Sequence, residues 1–203
     1  MLTLFRLPFA AAVVLGLGAA VAGYWWLVLA AVLLAALVYA MGRDPVRDAP
    51  SHPLGIVSPI DAQVVAVGRG HDPFLNREAL TVRMRQRMWM TAVLCSPTEG
   101  RVEQIWGGPD MPGFEEGVRL AIHVRTDEGD DVIFAVGRPR GPYGPLAWSV
   151  QPGERVGQGQ RRGLVGWGRE AVVYVPARSS PTVQSGTRVE AGTDLVCRLV
   201  HVN

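Results

Sequence analysis

Leu7 to Gly42 contains no charged side chain. As one helix this stretch would run about 54 Å at about 1.5 Å per residue, well beyond a hydrocarbon core of about 30 Å. The chain must therefore fold back on itself or tilt steeply. Gly23 and Tyr24 mark the expected break, with Trp25 and Trp26 as interfacial anchors. The expected legs, 7–22 and 27–41, are at or below the usual spanning minimum of about 17 residues. A transmembrane hairpin and a re-entrant one both fit. Arg6 flanks one end, and Arg43 and Arg47 flank the other. The positive-inside rule then puts both ends, and whatever follows, on the cytoplasmic face of the inner membrane. A cleaved signal peptide fits less well, because the apolar run is too long and no cleavage site stands out.

From Arg43 onward the composition changes. Pro45 pushes Asp44 out of the helical region, and Pro50 and Pro53 keep the segment extended. Ile56, Val57, Ile60, Val64 and Val65 supply the first strand signal, with Asp61 in its middle. Leu80–Met84 alternates apolar and polar, as a half-buried strand does. The run from Met88 to Cys95 is more continuously apolar, which predicts a strand buried on both faces. Residues 118–126 and 131–136 predict a hairpin around Glu128-Gly129-Asp130. Residues 137–144 read as a Pro/Gly loop. Gly166-Trp167-Gly168 predicts a tight turn between strands. No capped, periodic helix is visible after residue 42. The expected architecture is a membrane hairpin over 1–42 and a mainly β domain over 43–203, compact and barrel-like or sandwich-like.

Composition narrows the function classes. The 20 basic residues are all arginine and stand among 18 acids, so no nucleic-acid stripe is expected. The absence of lysine removes the usual attachment point of pyridoxal phosphate, biotin and lipoate. Cys95 and Cys197 lack metal-ligand spacing and read as buried, reduced thiols.

Four stretches resemble the phosphatidylserine decarboxylase family in order. Arg43-Asp44-Pro45-Val46-Arg47 followed by Ser58-Pro59-Ile60-Asp61-Ala62 resembles its RDP-x-R and SPADG opening. Residues 86–100 align with its MSPLDVHVNRAPVDG block, with Pro97 and Gly100 agreeing. Residues 163–176 resemble its G-x-I-R-F-G-S-R-V-D-V-Y-L-P segment, and the tail through Leu195 follows its glycine-paired ending. The hairpin ahead of RDP suits the small form of the family. In that family a serine after glycine cleaves its own backbone and becomes a pyruvoyl group, which serves as the electron sink for decarboxylation.

The resemblance also exposes what is missing. The serine position falls on Arg169, which has no β-hydroxyl, so the family's pyruvoyl cofactor is not expected here. The histidine position falls on Ala92. Only the aspartate is kept, as Asp61, and an Asp beside a proline is also a common backbone-bonding turn residue. His123, on the polar side of its strand, reads as a surface residue. Arg169 reads either as a solvated or salt-bridged strand residue or as an anion ligand, with Gly168 letting the backbone approach and Trp167 covering lipid carbons. The resulting expectation is an inactive, membrane-anchored relative that binds an aminophospholipid, as a homo-oligomer or beside an active paralogue. Two alternatives stand beside it: an active decarboxylase cleaving elsewhere, at Ser179, Ser180 or Ser185, and a structural membrane-interface protein.

Overall fold

The computed structural model describes residues 3–41, 52–87, 90–107, 118–139, 146–166 and 168–200. The chain divides into two compact units, 1–46 and 47–203.

The first unit is a helical hairpin. Helices α1 (Thr3–Val21) and α2 (Trp25–Met41) are joined at Gly23, whose φ of 77° lies in the left-handed region that favours glycine. The turn falls where the sequence predicts it, but α1 begins earlier and takes Arg6 into the helix. The two helices pack closely. A Cβ on Gly16 would lie 3.1 Å from that of Ala31, and the rings of Phe9 and Tyr39 sit 6.3 Å apart. The outer surface is apolar nearly all round: Leu7, Val14, Leu17, Val21, Leu29 and Leu33 are each more than three-fifths exposed. Among the described residues no helix is long and apolar enough to cross a membrane.

The second unit is mainly β. Its strands are β1 (Gly55–Val57), β2 (Ala62–Asp72), β3 (Arg77–Arg85), β4 (Val93–Cys95), β5 (Gly100–Gly107), β6 (Val118–Arg125), β7 (Asp131–Pro139), β8 (Leu146–Trp148), β9 (Arg155–Val156), β10 (Arg161–Val165), β11 (Arg169–Pro176), β12 (Ser180–Pro181), β13 (Arg188–Val189) and β14 (Leu195–Arg198). Eight form one sheet in the order β13-β2-β3-β11-β7-β6-β5-β9. Two three-stranded sheets, β1-β14-β12 and β4-β10-β8, complete the unit.

The central strands of the large sheet are covered on both faces, which explains their apolar runs. On β11, Ala171, Val173 and Val175 enter the main core with Val82, Met84, Ile122 and Phe134. The alternate residues, Val172 and Tyr174, join a second cluster with Ala79, Ala121, Ile133, Phe74 and Trp106. The small sheets supply Ile56, Leu94, Val165 and Val196 to the main core.

Three expectations need correction. The apolar run 88–95 yields only the short strand β4; residues 88–89 lie outside the described set, and the rest of the run pairs no strand. Residues 137–139 belong to β7 rather than to a loop. His123 is buried rather than on the surface, because the second cluster covers its face of the sheet. Its ring stacks on Trp106, and its Nε2 meets the Asp131 carboxylate at 2.8 Å.

Candidate functional site

The first β-turn region after β1 positions Asp61. The Ser58 hydroxyl donates to the Ile60 carbonyl at 2.7 Å, closing the turn over Pro59. Asp61 is thereby held at 6 % exposure. One carboxylate oxygen accepts the backbone N–H of Ala191 at 2.6 Å, and the other accepts that of Thr91 at 3.4 Å. Asp61 thus ties the β13–β14 turn to the segment before β4. The sequence reading of Asp61 as a backbone-bonding residue describes these contacts well, although the partners lie far along the chain.

Thr91 leads to Ala92, which the sequence resemblance sets against the family histidine. Ala92 is buried, and its carbonyl accepts the N–H of Val165 at 3.3 Å. Val165 ends β10, immediately before the glycine turn. That turn places Gly168 at a φ of 71° and delivers Arg169 as the first residue of β11. Trp167 lies outside the described residues. One residue that the sequence reading passed over closes the circle. Gln86, 1 % exposed, donates its side-chain amide to the Thr91 carbonyl at 3.1 Å. Its backbone N–H donates to the Arg169 carbonyl at 2.9 Å. Asp61, the Ala92 segment and Arg169 are therefore linked through Thr91, Gln86 and Val165. Nothing in the sequence marks Gln86, since it stands at an apolar position of the resembling block.

Arg169 itself is 6 % exposed and donates from one terminal nitrogen to the Gly137 carbonyl at 3.0 Å. This is not a solvated side chain: the guanidinium is packed in and anchored to backbone. It opposes Pro139 across a bulge between Arg169 and Ala171, which turns the first residue of β11 inward. Burial lowers its pKa, and the positive charge of nearby Arg119 lowers it further.

The other described histidines stand apart from this cluster. His71 opposes Glu78 toward the far end of the β2–β3 hairpin, His52 donates its backbone N–H to Gln158, and His123 faces Asp131. Of the serines considered as alternatives, Ser185 sits in an exposed turn and donates to the Val65 carbonyl. Ser179 is buried behind β11 and Ser180 opens β12.

No family model matches the chain. Curated relatives do. A phosphatidylserine decarboxylase proenzyme of Nitrosomonas eutropha is 32 % identical over 84 % of this chain and 81 % of its own length. The chain belongs to the phosphatidylserine decarboxylase family. A proenzyme of the same description from Nitrosomonas europaea is also 32 % identical, with the same coverage. One from Paraburkholderia xenovorans is 29 % identical over 82 % of each chain.

Proposed function

We propose that this chain is a catalytically silent member of the phosphatidylserine decarboxylase family, held at the cytoplasmic face of the inner membrane by its helical hairpin and acting by binding an aminophospholipid headgroup. The observation that carries the reading is Arg169. Self-cleavage in this family needs a β-hydroxyl at that position, to attack the preceding carbonyl and then to be eliminated. Arginine offers neither step. A pyruvoyl group also does not fit the surroundings, because the space beside β7 is taken by a guanidinium bonded to the Gly137 carbonyl. No described histidine adjoins Asp61 to replace the one lost at Ala92.

What remains suits binding. Arg169 with Arg119 offers a desolvated positive field to a phosphate or carboxylate, and the phosphatidylserine headgroup carries both. Glycine at 168 leaves the backbone approachable, and Trp167 adjoins it in sequence. The hairpin's apolar outer surface exceeds what monomeric soluble proteins expose, which supports lipid contact by shallow insertion of its short legs.

Intact-mass spectrometry of the purified chain tests silence: one species near 21.9 kDa is expected. Two fragments, the smaller with a blocked N-terminus, would sink the proposal. A thermal-shift titration with glycerophosphoserine tests binding. The melting temperature is expected to rise for the wild type and to stay flat for Arg119→Gln. A flat response in both would leave the headgroup site without support.

A further inference from the structure

The register of the large sheet lines up one of its ends into a continuous row. Arg188 of β13 opposes Gln63 of β2, Gln63 opposes Arg85 of β3, and Arg85 opposes Glu170 of β11. The row continues through Arg169, opposite Pro139, to the start of β6, where Val118 opposes Gly137 and Arg119 follows. Arg83 lies two residues in from Arg85 and Arg87 two residues out. This end therefore gathers Arg83, Arg85, Arg87, Arg119, Arg169 and Arg188.

Among the described residues, the acids on the row are few and partly committed. Glu170 pairs with Arg85 at 2.7 Å. Asp61 is buried on backbone N–H groups. Glu190, just past β13, has its backbone N–H on the Asp194 carboxylate. Arg87 and Arg188 are exposed, and neither has a carboxylate partner among the described residues.

The opposite end of the same sheet is different. Asp72 and Asp131 lie there, and the β6–β7 turn adds Asp127, Glu128 and Asp130. Asp72 and Asp131 both bind Arg77, Asp130 binds Arg178, and Asp127 binds Arg155. The sheet is thus electrostatically polarised along its strands, basic where the candidate site sits and balanced at the other end.

The basic end also carries an apolar contact point. The β2–β3 register shifts between Val64 and Ala66, so Val65 is the extra residue of a bulge. Its side chain is 44 % exposed, while Val64 before it and Met84, which Val64 opposes, are fully buried. The Ser185 hydroxyl holds the bulge by donating to the Val65 carbonyl at 2.7 Å. A fixed, outward valine between arginines gives apolar and cationic contact together, the combination that a lipid–water boundary satisfies.

We propose that this end of the sheet is a docking surface for an anionic bilayer, with Arg87 and Arg188 on headgroup phosphates and Val65 at the boundary. The proposal rests on the membrane reading above and adds which surface of the β unit faces lipid. Docked this way, the Arg169 site opens toward headgroups rather than toward bulk water.

Hydrogen exchange on the full chain decides it, with phosphatidylcholine liposomes compared against phosphatidylglycerol liposomes. Flotation on phosphatidylcholine alone reads the hairpin, since that surface carries no net charge. Phosphatidylglycerol should slow amide exchange over 62–66 and 187–190 by about fivefold or more, the effect of one arginine–headgroup contact. The double variant Arg87→Gln/Arg188→Gln should lose that slowing. A far-end control, Arg101→Gln/Arg125→Gln, should keep it. Equal exchange on both lipids, or slowing that survives in the first variant, overturns the docking surface. If the chain fails to float on phosphatidylcholine, the anchor reading falls, while exchange on phosphatidylglycerol still decides the surface.

Discussion

Asp61, the family position that the sequence resemblance keeps, serves the fold. Its two oxygens accept N–H groups from Ala191 and Thr91, which are distant in sequence. Removing a buried charged acceptor leaves those donors unsatisfied and costs about 1.5–3 kcal/mol. Asp61→Ala should therefore lower the urea midpoint clearly, and Asp61→Asn, which keeps one acceptor, should recover part of the loss. An unchanged midpoint for Asp61→Ala would mean that the two contacts carry no stability. Cys197 supplies the pH dependence. It is fully buried opposite Ile56, and burial pushes its thiol well above the ordinary range. An acid whose folded pKa is raised contributes stability below its unfolded pKa and loses it as pH rises beyond that value. Unfolding free energy should thus fall above about pH 8.5–9, by about 1.4 kcal/mol per pH unit for one thiol. Chemical denaturation across pH 7–10 checks this, and Cys197→Ala should remove that component of the slope.

At the scale of elements, the site depends on the small sheet β4-β10-β8 as much as on the large one. Gly163 sits in β10 against the Ala147 carbonyl of β8 and the Leu94 side chain of β4. A Cβ there meets backbone oxygen, which cannot move without breaking the ladder. Gly163→Ala should destabilise the unit by several kcal/mol, on the order of an overpacked core position, and should shift Val165 away from the Ala92 carbonyl. Circular dichroism melts of this variant beside Gly153→Ala, a left-handed turn glycine with open space around it, separate a clash from simple backbone strain. Equal melts would deny the close approach. The sequence made the β11 strand legible, because the Ala-Val-Val-Tyr-Val run follows a glycine-flanked turn expected between strands. It made His123 misleading: alternation identified its face but not that Phe74, Trp106 and Tyr174 cover that face. The run 88–95 failed in the other direction. Ala92 lies outside β4 and meets Val165 through its carbonyl, and burial in a connecting segment looks like burial in a strand when only hydropathy is read. Gln86 was illegible because its role lies in two hydrogen bonds whose partners, Thr91 and Arg169, are set by tertiary folding.

At the scale of the whole chain, the two units solve different solvent problems. The β unit closes a core from its own three sheets, with Phe134, Ile56, Ile60 and Met84 all fully buried among its own strands. Within the hairpin the seam between the helices is marked by Ala12, Gly16 and Ala31, and many of its leucines and valines are exposed. Burying such residues is worth about 25 cal/mol per Å² of apolar area, so a dozen exposed side chains represent a large unspent driving force. On the proposed reading, lipid rather than water covers that surface. Deleting residues 1–46 should therefore leave a folded β unit with a cooperative melt close to that of the full chain, because no strand or core residue of the second unit is removed. The same deletion should abolish flotation on phosphatidylcholine liposomes and leave the glycerophosphoserine response intact. A truncated chain that unfolds, or that still floats on neutral lipid, would show that the hairpin is part of the β unit's core or that another surface carries the attachment.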